Sequence, residues 1–175
     1  MLILITGGSK CGKSAAAEKI ITSYDLDRYY IATMQPFGDE AQEAVKRHRN
    51  IRMNKDFKTI ERYTDIQELS FNCESAALLE CIGNLCANEM FDKAVFDPTE
   101  KIVSAVKALS GKSAVFVVVT SQVGDDGIEY SKETMRYIEN MGSINKRLAD
   151  ISDIVIECVY GIPVILKGEK PKCLY

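Results

Sequence analysis

Gly7, Gly8, Ser9, Lys10, Cys11, Gly12, Lys13 and Ser14 stand together near the start of the chain, in the pattern Gly-x-x-x-x-Gly-Lys-Ser. These residue types at this spacing suit one chemistry, the holding of a polyphosphate. Glycines let the backbone turn tightly and present successive N–H groups to an anion. A helix beginning at once adds the positive end of its dipole. Lys13 would reach the terminal phosphates, and the Ser14 hydroxyl would ligate the accompanying Mg2+. Lys10 and Cys11 fill variable positions of the loop. A thiol at a helix N-terminus is activated, but phosphoryl transfer requires none.

Two further residues are candidates for chemistry. Glu80 closes an apolar run, where a phosphate-loop enzyme commonly holds a metal-binding carboxylate. It would coordinate Mg2+, directly or through water, or accept a proton from a substrate hydroxyl. His48 is the single histidine and lies among Lys46, Arg47, Arg49 and Arg52. Neighbouring cations disfavour the imidazolium, and a neutral imidazole is a competent nucleophile. Arginines beside it suit an incoming phosphate. Spacing alone leaves open the alternative, a solvated basic helix end. Glu61 reads as a polar surface residue, and Asp125 with Asp126 as a turn.

The elements that must position these groups alternate between the strand and helix periods. Strands are predicted over residues 2–6, 28–33, 76–81, 114–120 and 153–160, with 164–167 returning as an antiparallel edge after a turn at Gly161-Ile162-Pro163. Helices are predicted from the phosphate loop to about residue 24, from an Asp39 cap to about 49, over 83–91, from Asp97-Pro98 to 111, and over 131–151. The last carries apolar residues at Met135, Ile138, Met141, Ile144, Leu148 and Ile151. Thr64-Asp65-Ile66-Gln67 has capping-box form and starts a brief helix. The segment 57–63 has no assigned type. The run Ala-Val-Phe-Val-Val-Val-Thr at 114–120 is apolar enough for a central parallel strand. The sum is a P-loop NTPase-like, doubly wound α/β domain spanning residues 1–175, its sheet mostly parallel with an antiparallel C-terminal edge hairpin. Ligands on such sheets bind at the carboxyl ends of the strands. That places residues 7–14, Thr33, Glu80 and Ser121-Gln122 on one rim.

Composition narrows the classes. With 175 residues and 46 % hydrophobic content, a substantial single core is expected. A net charge of −3 argues against a nucleic-acid binder. No apolar run approaches the ~20 residues of a membrane span. The apolar start lacks the basic region of a signal peptide and reads as a strand. Six cysteines without Cys-x-x-Cys spacing exclude a zinc site and fit the reducing cytoplasm. Cys81 and Cys158 read as small buried hydrophobes.

Taken together, these segments resemble the bifunctional adenosylcobinamide kinase / adenosylcobinamide-phosphate guanylyltransferase family of cobalamin biosynthesis. The resemblance runs nearly end to end, through Ile5-Thr6-Gly7-Gly8 with Gly12-Lys13-Ser14, Tyr30-Ile31-Ala32-Thr33, His48-Arg49-x-x-Arg52, Thr59-x-Glu61, Leu78-Leu79-Glu80-Cys81, Val123-Gly124 with Gly127-Ile128, Gly142-x-x-Asn145-x-x-Leu148-Ala149, and Gly161-Ile162-Pro163 with Lys167. It implies phosphorylation of adenosylcobinamide by GTP or ATP, then transfer of GMP from GTP to adenosylcobinamide phosphate. It also implies a guanylyl-histidine intermediate on His48, and nucleotide contacts at Ile31, Ala32, Thr33, Arg49, Asn50, Ile51, Arg52, Glu61 and Glu80. A homotrimer is implied as well. Departures are local: Ser121-Gln122 stand where the family usually has Asn-Glu, Ala44 where it has an arginine, and Lys10-Cys11 where it has Arg-Ser. They bear on the kinase half, while the guanylyltransferase half keeps its histidine. The competing readings are a P-loop small-molecule kinase without a covalent intermediate, and a nucleotide-binding regulatory module without turnover.

Overall fold

Seven strands, β1 (Leu2–Thr6), β2 (Asp27–Ala32), β3 (Phe57–Glu61), β4 (Ser75–Glu80), β5 (Val115–Val119), β6 (Ile154–Val159) and β7 (Ile162–Lys167), build one sheet in the computed structural model, which describes residues 1–38, 42–43, 46, 55–124 and 126–171. Their order is β3-β2-β4-β5-β1-β6-β7. Neighbours run parallel except β6 and β7, which are antiparallel. Four helices lie wholly among the described residues. One, α1 (Lys13–Thr22), covers one face; α2 (Ile82–Phe91), α3 (Thr99–Ser110) and α4 (Lys132–Ile151) cover the other. This is the doubly wound α/β architecture expected, including its antiparallel edge.

The apolar run of β5 is explained by its place. It is the middle strand, and all five of its residues are buried. Val115, Val117 and Val119 pack on the α1 side, and Phe116 and Val118 on the other. Each such burial contributes about 1.5–3 kcal/mol. In α4 the periodic apolar row divides: Met141, Ile144 and Leu148 are buried, whereas Met135 in the second turn is 40 % exposed. The Ser131 hydroxyl caps that helix by accepting from the Thr134 N–H at 3.3 Å.

Three local expectations change. First, the hairpin turn is Tyr160-Gly161, not Gly161-Ile162-Pro163, and β7 already begins at Ile162, paired with Val159. Both turn residues have positive φ, 50° and 83°, the two-residue geometry that matches strand twist. Pro163 is tolerated because β7 is an edge strand. Second, Thr64-Asp65-Ile66-Gln67 does not form a capping box. Only a single 3-10 turn follows (Ile66–Glu68), with Asp65 left-handed at its start and no side-chain cap. Third, Pro98 is the N-cap residue of α3 rather than part of its first turn, and Asp97 Oδ1 accepts from the Thr99 N–H at 2.9 Å. Segment 57–63 supplies edge strand β3. Of the helix expected over 39–49, Gln42, Glu43 and Lys46 are helical, as is Gly38 just before it. Asp39 and the other positions lie outside the described residues.

Asp65 is instead committed to an ionic network. Lys101 Nζ lies 2.6 Å from both Asp65 Oδ1 and Glu89 Oε2, and Lys93 Nζ lies 3.2 Å from Asp65 Oδ2. Glu89 is 1 % exposed, and its Oε1 accepts from the Asp65 N–H at 2.8 Å. The network ties the 3-10 turn to α2 and α3. Hydrogen bonding from Lys101, then from Gln67 and Lys93, holds the Asp65 carboxyl well below its ordinary 3.8. A depressed folded value stabilises above the unfolded value, and that stability fades as the pH falls. Asp65→Asn is therefore expected to lose about 1–2 kcal/mol at neutral pH. The deficit should shrink below about pH 4. Urea midpoints at the two pH values measure this; an equal deficit at both would contradict it.

Candidate nucleotide-binding site

Residues 7–14 follow β1 as a loop and lead straight into α1. Gly7, Lys10 and Gly12 have φ of 136°, 56° and 99°, so the chain curls on itself. Gly12 is the N-cap of α1 and offers no side-chain acceptor, which leaves the first helical N–H groups for an external anion. The loop is held from behind by the edge hairpin. The Gly161 N–H donates to the Cys11 carbonyl at 3.0 Å. A Cβ on Gly7 would lie 2.5 Å from the Cys158 carbonyl, and one on Gly12 would lie 3.3 Å from Gly161 Cα. Both glycines are thus fixed by close approach as well as by φ.

Lys13 is buried and arches back over the loop. Its Nζ donates to the Gly7 carbonyl at 3.0 Å and to the Gly8 carbonyl. Those bonds keep the ammonium within the concavity of the loop, poised to exchange carbonyl oxygens for phosphate oxygens. Ser14 Oγ donates to Glu80 Oε1, and Tyr30 OH donates to Glu80 Oε2 at 2.7 Å. The register explains the meeting. Ala32, Glu80, Val119 and Ile5 lie in line across four adjacent parallel strands, so the end of β4 stands level with the loop. Glu80 also projects from the α1 face, as alternation from the α1-side Leu78 requires.

The other expected rim residues are placed as follows. Thr33 is fully buried; its Oγ1 donates to the Cys81 carbonyl at 2.9 Å and accepts the Cys81 N–H at 2.8 Å. Its side chain therefore clamps β2 to the start of α2. Ile31 belongs to the core, which leaves only its backbone for a ligand, and Ala32 is half-buried. Glu61 is exposed at the end of β3 and accepts from Tyr63 OH at 3.1 Å. Gly8, Ser9 and Lys10 are exposed on the loop. Gln122 Nε2 donates to Glu157 Oε1 at 3.1 Å. Glu157 pairs with Thr6 across β1 and β6, so a carboxylate stands beside the loop on the side away from Glu80. Asp126 accepts from Tyr130 OH and the Ile128 N–H, a turn as expected. His48, Arg49, Asn50, Ile51 and Arg52, together with Ala44 and Asp125, lie outside the described residues.

A cleft of about 540 Å³ runs from the loop down α1, lined among others by Lys10, Lys13, Ser14, Lys19 and Lys55. In its wall Lys55 pairs with Glu18, which is 3 % exposed. Tyr30, Glu157, Gly161 and the Glu18–Lys55 pair are parts of the site that sequence reasoning missed. Tyr30 and Gly161 both stood in segments that carry the family resemblance, and alternation puts Tyr30 on the same face as Ala32. Burial pushes the Cys81 and Cys158 thiols up; Cys158 is a buried core residue as expected, whereas Cys81 is only half-buried, at the N-cap of α2.

The donor set suits Mg2+. A hydroxyl and a carboxylate are hard oxygen donors, already within hydrogen-bonding distance of each other. Among the described residues no three His, Cys, Asp or Glu side chains gather as a metal cage. Two oxygen donors leave the rest of an octahedral shell open to phosphate oxygens and waters, as Mg2+ commonly keeps.

The family profile for cobinamide kinase / cobinamide phosphate guanyltransferase (CobU) matches residues 3–166. The chain belongs to this family. It is 32 % identical over 183 residues to the bifunctional adenosylcobalamin biosynthesis protein CobU of Escherichia coli K12, covering 95 % of this chain and 100 % of that protein. The protein of the same name from Salmonella typhimurium LT2 is 28 % identical over 186 residues, with the same coverage. The bifunctional adenosylcobalamin biosynthesis protein CobP of Pseudomonas aeruginosa PAO1 is 26 % identical over 173 residues, covering 95 % and 97 %. The loop, Lys13, Ser14 and Glu80 all lie within the residues that the family profile matches. Among the described residues no helix is long and apolar enough to cross a membrane.

Proposed function

We propose that this chain phosphorylates adenosylcobinamide with GTP or ATP, and then transfers GMP from GTP to adenosylcobinamide phosphate through a covalent bond to His48. The observation that carries the reading is the Ser14–Glu80 pair beside Lys13 at the carboxyl rim of the sheet, in a chain of this family. In the kinase half, the acceptor hydroxyl oxygen attacks the γ-phosphorus, and the bond to the β-phosphate oxygen breaks. The hydroxyl proton passes to a rim carboxylate or water. In the other half, a neutral imidazole nitrogen of His48 attacks the α-phosphorus and pyrophosphate leaves. An oxygen of the corrinoid phosphate then attacks the same phosphorus, and the P–N bond breaks.

Backbone N–H groups of residues 7–14 and the Lys13 ammonium take up the phosphate charge in both halves. Arg49 and Arg52, with the backbone of Asn50 and Ile51, would flank the histidine and steady the transferred phosphate. Ile31, Ala32, Thr33 and Glu61 would line the nucleotide along the carboxyl edge of β2 and β3. Ser14, and Glu80 directly or through water, would hold Mg2+, whose charge when bound neutralises the phosphates.

GTP labelled at the α-phosphate tests the reading. Protein-bound GMP that is acid-labile, alkali-stable and discharged by cobinamide phosphate is expected. Kinase turnover with unlabelled protein would leave a simple P-loop kinase.

The continuous sheet from residue 2 to residue 167 supports a single domain. Five free cysteines among the described residues support a reducing cytoplasm. An exposed apolar row on edge strand β7, where Ile162, Val164 and Leu166 are 60 %, 41 % and 58 % exposed, supports self-association, and the family resemblance implies its order, a homotrimer. Val164→Lys combined with Leu166→Lys is expected to reduce the mass in light scattering from three chains to one. A parent protein that already runs as a single chain would refute the trimer.

A further inference from the structure

We infer that Tyr30 is a positioning residue that sets the Glu80 carboxylate for the metal-bearing nucleotide. The inference rests on the reading of Ser14 and Glu80 as the metal-facing pair.

Tyr30 is 3 % exposed, and its ring meets Phe57 edge-on at 6.0 Å between centroids. It stands on β2 in register with Leu78, two positions before Glu80 on the neighbouring strand. Tyr30, Leu78 and Glu80 therefore share the α1 face, and the phenol reaches along the sheet toward its rim. The hydroxyl ends 2.7 Å from Glu80 Oε2, while Ser14 Oγ donates to Oε1. Each carboxylate oxygen thus has its own donor. A glutamate has three rotatable bonds, and a single hydrogen bond leaves the plane of the carboxylate free to turn. Two donors on opposite oxygens fix that plane. Ser14 stands in the first turn of α1, where its hydroxyl would turn to the ion, whereas Tyr30 is anchored in the sheet. Tyr30 therefore holds Glu80 in place when Ser14 turns its oxygen toward an ion. Partners of this kind typically change metal affinity by about 10-fold or more when removed.

Tyr30→Phe tests this with the full chain. It keeps the ring against Phe57 and deletes only the hydroxyl. Mn2+ binding in the presence of a non-hydrolysable GTP analogue is read by electron paramagnetic resonance, and metal-free analogue binding by calorimetry. Tyr30→Phe is expected to weaken Mn2+ about 10-fold and to leave metal-free nucleotide affinity unchanged. Unchanged Mn2+ affinity would overturn the inference, as would equal losses of metal and nucleotide affinity accompanied by a lower melting temperature, the mark of a packing role. Glu80→Gln separates the two levels. If it also leaves Mn2+ affinity unchanged, the assignment of Glu80 falls and the inference with it. If Glu80→Gln weakens Mn2+ but Tyr30→Phe does not, only the positioning role falls.

Discussion

His48→Asn is expected to abolish protein-bound GMP and to lower guanylyl transfer to cobinamide phosphate on the order of 10³-fold or more, about 4 kcal/mol of transition-state stabilisation. Asparagine keeps a polar side chain with a nitrogen of similar reach. Its amide lone pair is delocalised, so it cannot form the P–N bond. The basic segment around His48 would still attract the triphosphate, so the KM for GTP should change little. Phosphorylation of cobinamide uses the acceptor hydroxyl as nucleophile and needs no histidine. That activity is expected to stay within a few-fold of the parent, a split that identifies the role as covalent rather than structural. The measurement is paired: label retained on the protein after denaturation, and steady-state rates of the two half-reactions. A variant that still transfers GMP at the parental rate would remove His48 from the mechanism. Equal loss of both activities would instead assign it to nucleotide binding.

Lys13→Met should damage both halves together. The ammonium is buried and is held by the Gly7 and Gly8 carbonyls, so its placement does not depend on the ligand. A charge preset in a shielded loop is worth far more to a developing phosphate charge than one in water. Methionine matches much of the stem and keeps the packing, but it offers no donor. The expected loss is about 10²–10³-fold in kcat/KM for each half-reaction, about 3–4 kcal/mol. Stability should fall by about 1–3 kcal/mol, since water can satisfy the exposed Gly8 carbonyl while the buried Gly7 carbonyl loses this donor. Rates for both reactions and a melting curve decide the outcome. If only the kinase half falls, the phosphate loop serves one reaction and the guanylyl donor binds elsewhere.

The sequence by itself determined whatever depends on neighbours along the chain. Residues 7–14 form a phosphate loop because the backbone conformation is set by Gly7 and Gly12 and by the helix that follows, all within one short segment. The alternation of strand and helix periods fixed the doubly wound class, and the unbroken apolar run of β5 fixed its central position, since a strand buried on both faces has no polar side to show. Tertiary structure decided which distant residues meet. Glu80 could be marked as the carboxylate ending β4, yet its bonds to Ser14 and Tyr30 exist only because β4 lies between β2 and β5 and turns its last side chain to the α1 face. Thr64-Asp65-Ile66-Gln67 carried the local form of a capping box, but no side chain caps the turn, and the Asp65 carboxylate pairs with the ammonium of Lys101, far along the chain. Thr33 lay on the rim as expected, while its hydroxyl went to the backbone of Cys81. The hairpin turn moved to Tyr160-Gly161 because strand twist selects a two-residue loop of positive φ, whereas the visible Gly-Ile-Pro suggested one position later. Periodicity records which face a side chain takes; only the packing of strands remote in sequence determines what that face encounters.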